Sequence, residues 1–250
     1  MSRSEVPTIP APASAISEAT SPVVFTLFAV FRVSSSHPHV FDGRDVEGVV
    51  REFEDVVELI ANERVVLRGC YDVSGLRSDA DVMVWLHGTA AEDLQWALRE
   101  LRRTELLRPL VRVWSAVGMH REAASHEEAE VAPTHTPGFV SGTPAKQWLS
   151  VYPFERSREW FLLEPAERSQ EAAEYRRIHA EFPGVTAHTV EMFSLGDHEW
   201  LLALESDGLT ELVDTTRALR AISAHTHVRA EAPFFTGRHI EIAELIEVLQ

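Results

Sequence analysis

The sequence has a single cysteine, Cys70, among 250 residues. That excludes an internal disulfide and fits a reducing compartment. Cys70 lies in the apolar-rich stretch 65–73 and reads as a small buried residue rather than a nucleophile. Basic residues are scarce beside acids, 23 Lys and Arg against 39 Asp and Glu, for a net charge of −16. A surface of that sign repels nucleic acid and anionic lipid, and no basic patch with interleaved aromatics offsets it. Long apolar runs are missing too. The stretch 23–33 is too short and too interrupted to cross a bilayer. The N-terminus lacks a basic n-region and an apolar h-region, so a secretion signal is not expected. These absences predict a soluble, cytoplasmic protein with neither a nucleic-acid nor a membrane partner.

What is present is ordinary globular composition, 45% hydrophobic and 25% charged, in a chain long enough for one large core or two small domains. Residues 1–22 are rich in Ser, Ala and Pro without hydrophobic periodicity, and read as a disordered leader. From Val23, VVFTLFAVFRV reads as a strand. Apolar residues at Val49, Val50, Phe53, Val56, Val57 and Ile60 then mark an amphipathic helix with Asp45 as its N-cap. RVVLRGCYDV and ADVMVWLHG read as strands about a turn containing Gly75, 89–103 as a second helix, and PLVRVWSAVGM as a fourth strand. The order is β-α-β-β-α-β, ferredoxin-like, over 23–119. Residues 120–146, rich in Pro, Gly, Ser and acids, form a linker or active-site loop. The order then repeats over 147–250. QWLSVYPF is a strand, 157–181 a helix, TAHTVEMFSL and EWLLALES strands, 209–223 a helix and THVRAEAPFF the closing strand. Two such halves, packed or closed together, leave a concave pocket in one of them.

Several segments carry a resemblance: TLFAVFRV, RGCYDVSGLRSDADVMVWLHG, RRTELLRPLVRVWSAVGMHR, WLSVYPFERSREWFLL, FSLGDHEWLLALE and HVRAEAPFFTGR, together spanning roughly 23–240. They resemble the chlorite dismutase superfamily, in particular its actinobacterial coprohaem decarboxylase branch. The resemblance implies an α+β fold, a dimeric α+β barrel of two ferredoxin-like halves. It also implies a homopentamer, and a haem or coprohaem iron cofactor in the C-terminal half. In that branch peroxide oxidises the iron, and a tyrosine takes an electron or hydrogen from each of two propionates, which leave as CO2. The resemblance places that tyrosine at Tyr152, a propionate-side arginine at Arg156 and a distal histidine at His135, with His126 able to trade places with it. The chemistry suits each role: a phenol carries radical character, a guanidinium binds carboxylate through paired donors, and an imidazole takes peroxide's proton.

Three departures stand beside these matches. The family's proximal iron ligand is a histidine, and that position holds Tyr175, with His179 one helical turn further. Where the family carries two arginines, this chain has His225 and Thr226, and His188 falls where family members vary the side chain above the iron. Tyr175 as a phenolate ligand, His179 as a replacement ligand, or a non-haem site for iron, copper or zinc built from His188 and His225 are the readings this leaves. His225 and His227 are expected on one face of a strand. No histidine spacing matches a strong metal signature such as HExxH.

The sequence therefore points to an oxidoreductase with an iron-based cofactor acting with peroxide or dioxygen on a porphyrin or small molecule. Oxidative decarboxylation of coprohaem propionates is its most economical form. A diverged paralogue with specialised biosynthetic chemistry and a non-catalytic haem-binding partner are the alternatives. Chlorite dismutation itself is not expected, because those enzymes carry a distal arginine where this chain offers His188.

Overall fold

The computed structural model describes residues 23–36, 45–122 and 136–250. The leader 1–22, His37, His39, His126, the acid run Glu127–Glu130 and the expected distal His135 lie outside the described residues.

The N-terminal half runs β1 (Val23–Arg32), α1 (Val46–Asn62), β2 (Val65–Asp72), β3 (Val82–Gly88), α2 (Ala91–Leu101) and β4 (Val111–Arg121). Asp45 caps α1, its carboxylate accepting from the Gly48 amide at 3.1 Å. Gly75 makes the turn before β3 at φ +73°, a conformation costly for side-chain-bearing residues. The C-terminal half runs β5 (Trp148–Arg156), α3 (Arg158–Leu162), α4 (Pro165–Glu181), β6 (Thr186–Glu191), β7 (Trp200–Ser206), α5 (Leu209–Ala221), β8 (Val228–Glu231), β9 (Phe235–Ile240) and α6 (Glu244–Val248).

Strands order β4-β1-β3-β2 in the first half and β6-β7-β5-β8 in the second. This is the same ferredoxin-like arrangement twice. Two seams join them. Met119 of β4 pairs with Glu191 of β6, and β9 lies between β2 and β5, with Cys70 opposite Ile240 and Val151 opposite Phe235. Eight strands thereby close into a barrel, and β8 extends the free part of the β5 edge.

Alternation along each strand separates three cores. Phe28, Trp85, Leu149, Leu201 and Phe235 fill the barrel interior. Leu27, Phe31 and Leu86 face outward under α1, α2 and α6. Tyr152, Leu202 and Leu204 face outward under α4 and α5. Phe53 and Ile60 of α1 are fully buried, and each such side chain stabilises the fold by about 1.5–3 kcal/mol.

Two local expectations are corrected. The single helix expected over 157–181 is two helices, because Pro165 favours a first-turn position and drives its predecessor extended. Glu164 and Glu167 close a capping box there. The single strand expected from THVRAEAPFF is a 3-10 turn (Ser223–His227), then β8, then β9. His225 and His227 therefore do not share a strand face. The turn is held by Glu174 of α4, whose carboxylate accepts from the Ser223 hydroxyl at 2.7 Å and the Ala224 amide at 3.2 Å.

Residues 136–147 connect the halves along one end of the barrel. Arg68 Nη1 donates to the Thr143 carbonyl at 2.9 Å, and Lys146 Nζ donates to the Gly184 carbonyl at 2.6 Å.

Candidate active site

The outward face of the C-terminal sheet gathers the first group of candidates. Period-two alternation along β5 turns Tyr152, Phe154 and Arg156 toward the helices. Tyr152 is buried and stacks on Phe234, ring centroids 4.1 Å apart. Arg156 sits among three rings, its guanidinium carbon 5.0 Å from the Trp160 centroid, 5.1 Å from Tyr175 and 5.6 Å from Phe154. Its Nη1 donates to the Ala224 carbonyl at 3.2 Å. Tyr175 reaches this cluster from α4, and His179, half-buried, follows one turn later on the same helix. The structure thus brings Tyr152, Arg156 and Tyr175 to one face.

Burial pushes both phenols above the ordinary range. For Tyr152 the nearby Glu231 and Tyr175 add to burial, and for Tyr175 the Arg156 guanidinium pulls partly the other way. Glu231 pairs with Arg220 at 2.9 Å and lies 3.9 Å from His225 Nδ1. His227 Nε2 lies 3.2 Å from Glu171, whose carboxyl burial raises and His227 and Arg156 lower, with a net rise. A cavity of about 400 Å³ opens beside Phe234. Ser150, Thr236, Thr216, Arg217 and Arg220 give it hydroxyls and guanidiniums, and Leu212 and Val213 an apolar wall. Tyr152, Arg156 and Tyr175 do not line this cavity; its guanidiniums, hydroxyls and apolar wall suit a carboxylate-bearing ligand.

His188 is elsewhere. It faces the barrel interior, stacked on Phe139 at 5.7 Å and edge-on to Trp85 at 5.1 Å. Its Nδ1 accepts from the Phe139 amide at 3.3 Å and its Nε2 lies 2.8 Å from Glu205 Oε2. Both ring nitrogens are therefore engaged by the protein, and His225 lies in the 3-10 turn on the helix-covered side. The expectation of a metal site shared by His188 and His225 is corrected on that geometry. Among the described residues no group of three or more His, Cys, Asp and Glu side chains is placed to hold a metal ion.

Glu205 is fully buried and accepts from Arg68 Nε and Nη2 at 3.3 and 2.5 Å, and from Tyr71 Oη at 3.4 Å. Burial raises its pKa, but the bonds from His188 and Arg68 outweigh that and hold it below the usual carboxylate range. This network was not legible in the sequence. The one visible signal was an acid inside the apolar run LLALE, since a charge buried in a strand requires a partner. Trp160, Glu171 and Phe234 were not legible either, and nothing in their local sequence marks them.

The architecture is that of a barrel with a polar cluster and cavity on one half, and comparison with known proteins agrees. A doubly substituted chlorite dismutase from Candidatus Nitrospira defluvii superposes with a TM-score of 0.76, covering 93% of this chain and 98% of its own at 20% identity. The imidazole complex of that organism's enzyme gives 0.74, covering 92% and 96% at 20% identity. At that identity the likeness concerns the fold. The chlorite dismutase family model matches residues 46–240, and the chain belongs to that family. It is also similar to a coproheme decarboxylase from Mycolicibacterium smegmatis, 40% identical over 230 residues, covering 92% of this chain and 95% of that one.

Proposed function

We propose that this chain is a haem-iron oxidoreductase that removes propionate carboxyl groups from coprohaem with peroxide. The observation that carries the reading is the cluster of Tyr152, Arg156 and Tyr175 on one buried face. It occurs in a chain 40% identical to a coproheme decarboxylase. The donor set fits the group: a phenol and an imidazole on α4, guanidiniums at the rim and an apolar sheet face. Tyr175 or His179 would hold the iron, and Arg156 and Arg220 the carboxylates. When bound, the iron supplies oxidation by peroxide. Burial keeps the Tyr152 Oη proton in place at working pH, so its ring gives up an electron only together with that proton. Arg156 orients a carboxylate through paired donors, and His135 takes peroxide's proton. The exposed apolar side chains Phe161, Leu162, Phe193 and Leu195 support subunit contacts, and the reading extends to a homopentamer located in the cytoplasm.

The test is an absorption spectrum of the purified chain before and after adding coprohaem, followed by peroxide and mass analysis of the porphyrin. A shifted Soret band is expected, altered by Tyr175→Phe or by His179→Ala according to which side chain binds iron. Loss of two CO2 per porphyrin should follow, reduced at least about 100-fold in Tyr152→Phe. A spectrum unchanged by coprohaem excludes the reading.

A further inference from the structure

The end of the barrel beneath the connecting segment 136–147 is built around one histidine whose protonation state the geometry specifies. Glu205, held ionised beside Arg68, can only accept, so His188 Nε2 carries a hydrogen and donates it. The Phe139 amide can only donate, so His188 Nδ1 carries none. The neutral Nε2–H tautomer alone satisfies both bonds. A further proton has one place to go, Nδ1, where it meets the Phe139 N–H head-on.

The connector depends on that bond. Gly138 passes so close to the sheet that an added Cβ would lie 2.6 Å from Thr186 Cγ2 and 2.9 Å from His188 Cε1. Phe139 stacks on the His188 ring and meets Trp85 edge-on at 5.9 Å. Further ties are Arg68 to the Thr143 carbonyl, Lys146 to the Gly184 carbonyl, and Gln147, whose amide donates to Asp207 and whose carbonyl accepts from the His239 amide. Among the described residues, the titratable and charged groups around His188 include Glu205 on β7, Arg68 and Tyr71 on β2, and His87 on β3. The Glu205–Arg68 pair is already neutral as a unit, so a charged imidazole adds a net positive charge next to a buried guanidinium.

We propose that His188 is a proton-operated latch on the connector. Neutral, it fastens Phe139 to the barrel end. Protonated, it keeps its bond to Glu205, loses the one to Phe139 and releases residues 136–142, with the Arg68–Thr143 and Lys146–Gly184 bonds remaining as the hinge. Nothing in this depends on a bound cofactor or on the reaction.

Amide exchange at Phe139, relative to its rate in an unstructured chain, tests it between pH 7.5 and 5. Once the pH is below about 6.5, where a freed imidazole titrates, protection should fall about tenfold per pH unit. His188→Gln keeps an acceptor for the Phe139 amide and a donor for Glu205 but cannot take up a proton, and its protection should stay flat. Equal slopes in the two chains overturn the latch. Should the variant not fold, ¹⁵N shifts of the His188 ring in the unaltered chain decide. Phe139 protection must be lost by the pH at which the ring is protonated, and a protonated ring with Phe139 still protected overturns the proposal.

Discussion

The two halves share one topology but use their helices differently. Under α1 the sheet offers Leu27, Ala29, Phe31, Val84 and Leu86, and the helix answers with the buried Val49, Phe53 and Ile60. Under α4 the corresponding strand offers Tyr152, Phe154 and Arg156, and the helix buries Ile178 alone while directing Glu171 and Tyr175 inward. An apolar stripe at helical period makes α1 a packing element. With its weak stripe, α4 is held by polar ties such as Glu174 to the 3-10 turn, which leaves its inner face free for chemistry. One copy of the motif is filled by apolar side chains and the other holds the candidate cluster.

The difference can be broken at its joint first. Arg68→Leu strips the cationic partner from a carboxylate buried between the halves, and a loss of about 3–5 kcal/mol is expected in denaturant unfolding. Phe53→Ala should cost about 3–4 kcal/mol through the cavity left under α1. Coprohaem affinity per folded molecule should remain unchanged, which separates packing from site. An effect of Phe53→Ala on affinity would show the halves to be less independent than their cores suggest.

A smaller effect is expected from pH. Burial, then Arg68 and His188, depress the His87 pKa from 6.5 to about 4. The unfolded chain thus takes up a proton at a pH where the folded chain resists it. The stabilising contribution is complete above about 6.5 and is lost as pH falls toward 4, a few kcal/mol in all at 1.36 kcal/mol per unit. His87→Gln should flatten that limb of the stability profile, measured by urea unfolding at several pH values.

Much of the fold was legible because β1, α1 and β3 announce themselves by composition and period. That Tyr152 and Arg156 share a face was legible for a related reason: an even spacing along β5 puts them there. His188 was not. β6 is six residues with Ala187, His188 and Val190 all buried, so no alternation of polar and apolar residues says which face is which. The closing strand was hidden as well, because VRAE and FTGRHI follow one another without a composition change. Pro233, which cannot donate to a ladder, was the available hint that the run is interrupted.

Lys146, whose amine holds the hinge of the connector, is also the sole lysine of the chain. Amine-directed reagents therefore have one side-chain target, at the junction between the two halves. A fluorophore or surface tether attached there would displace the Gly184 contact and report on the connector, while leaving the aromatic cluster around Arg156 chemically untouched.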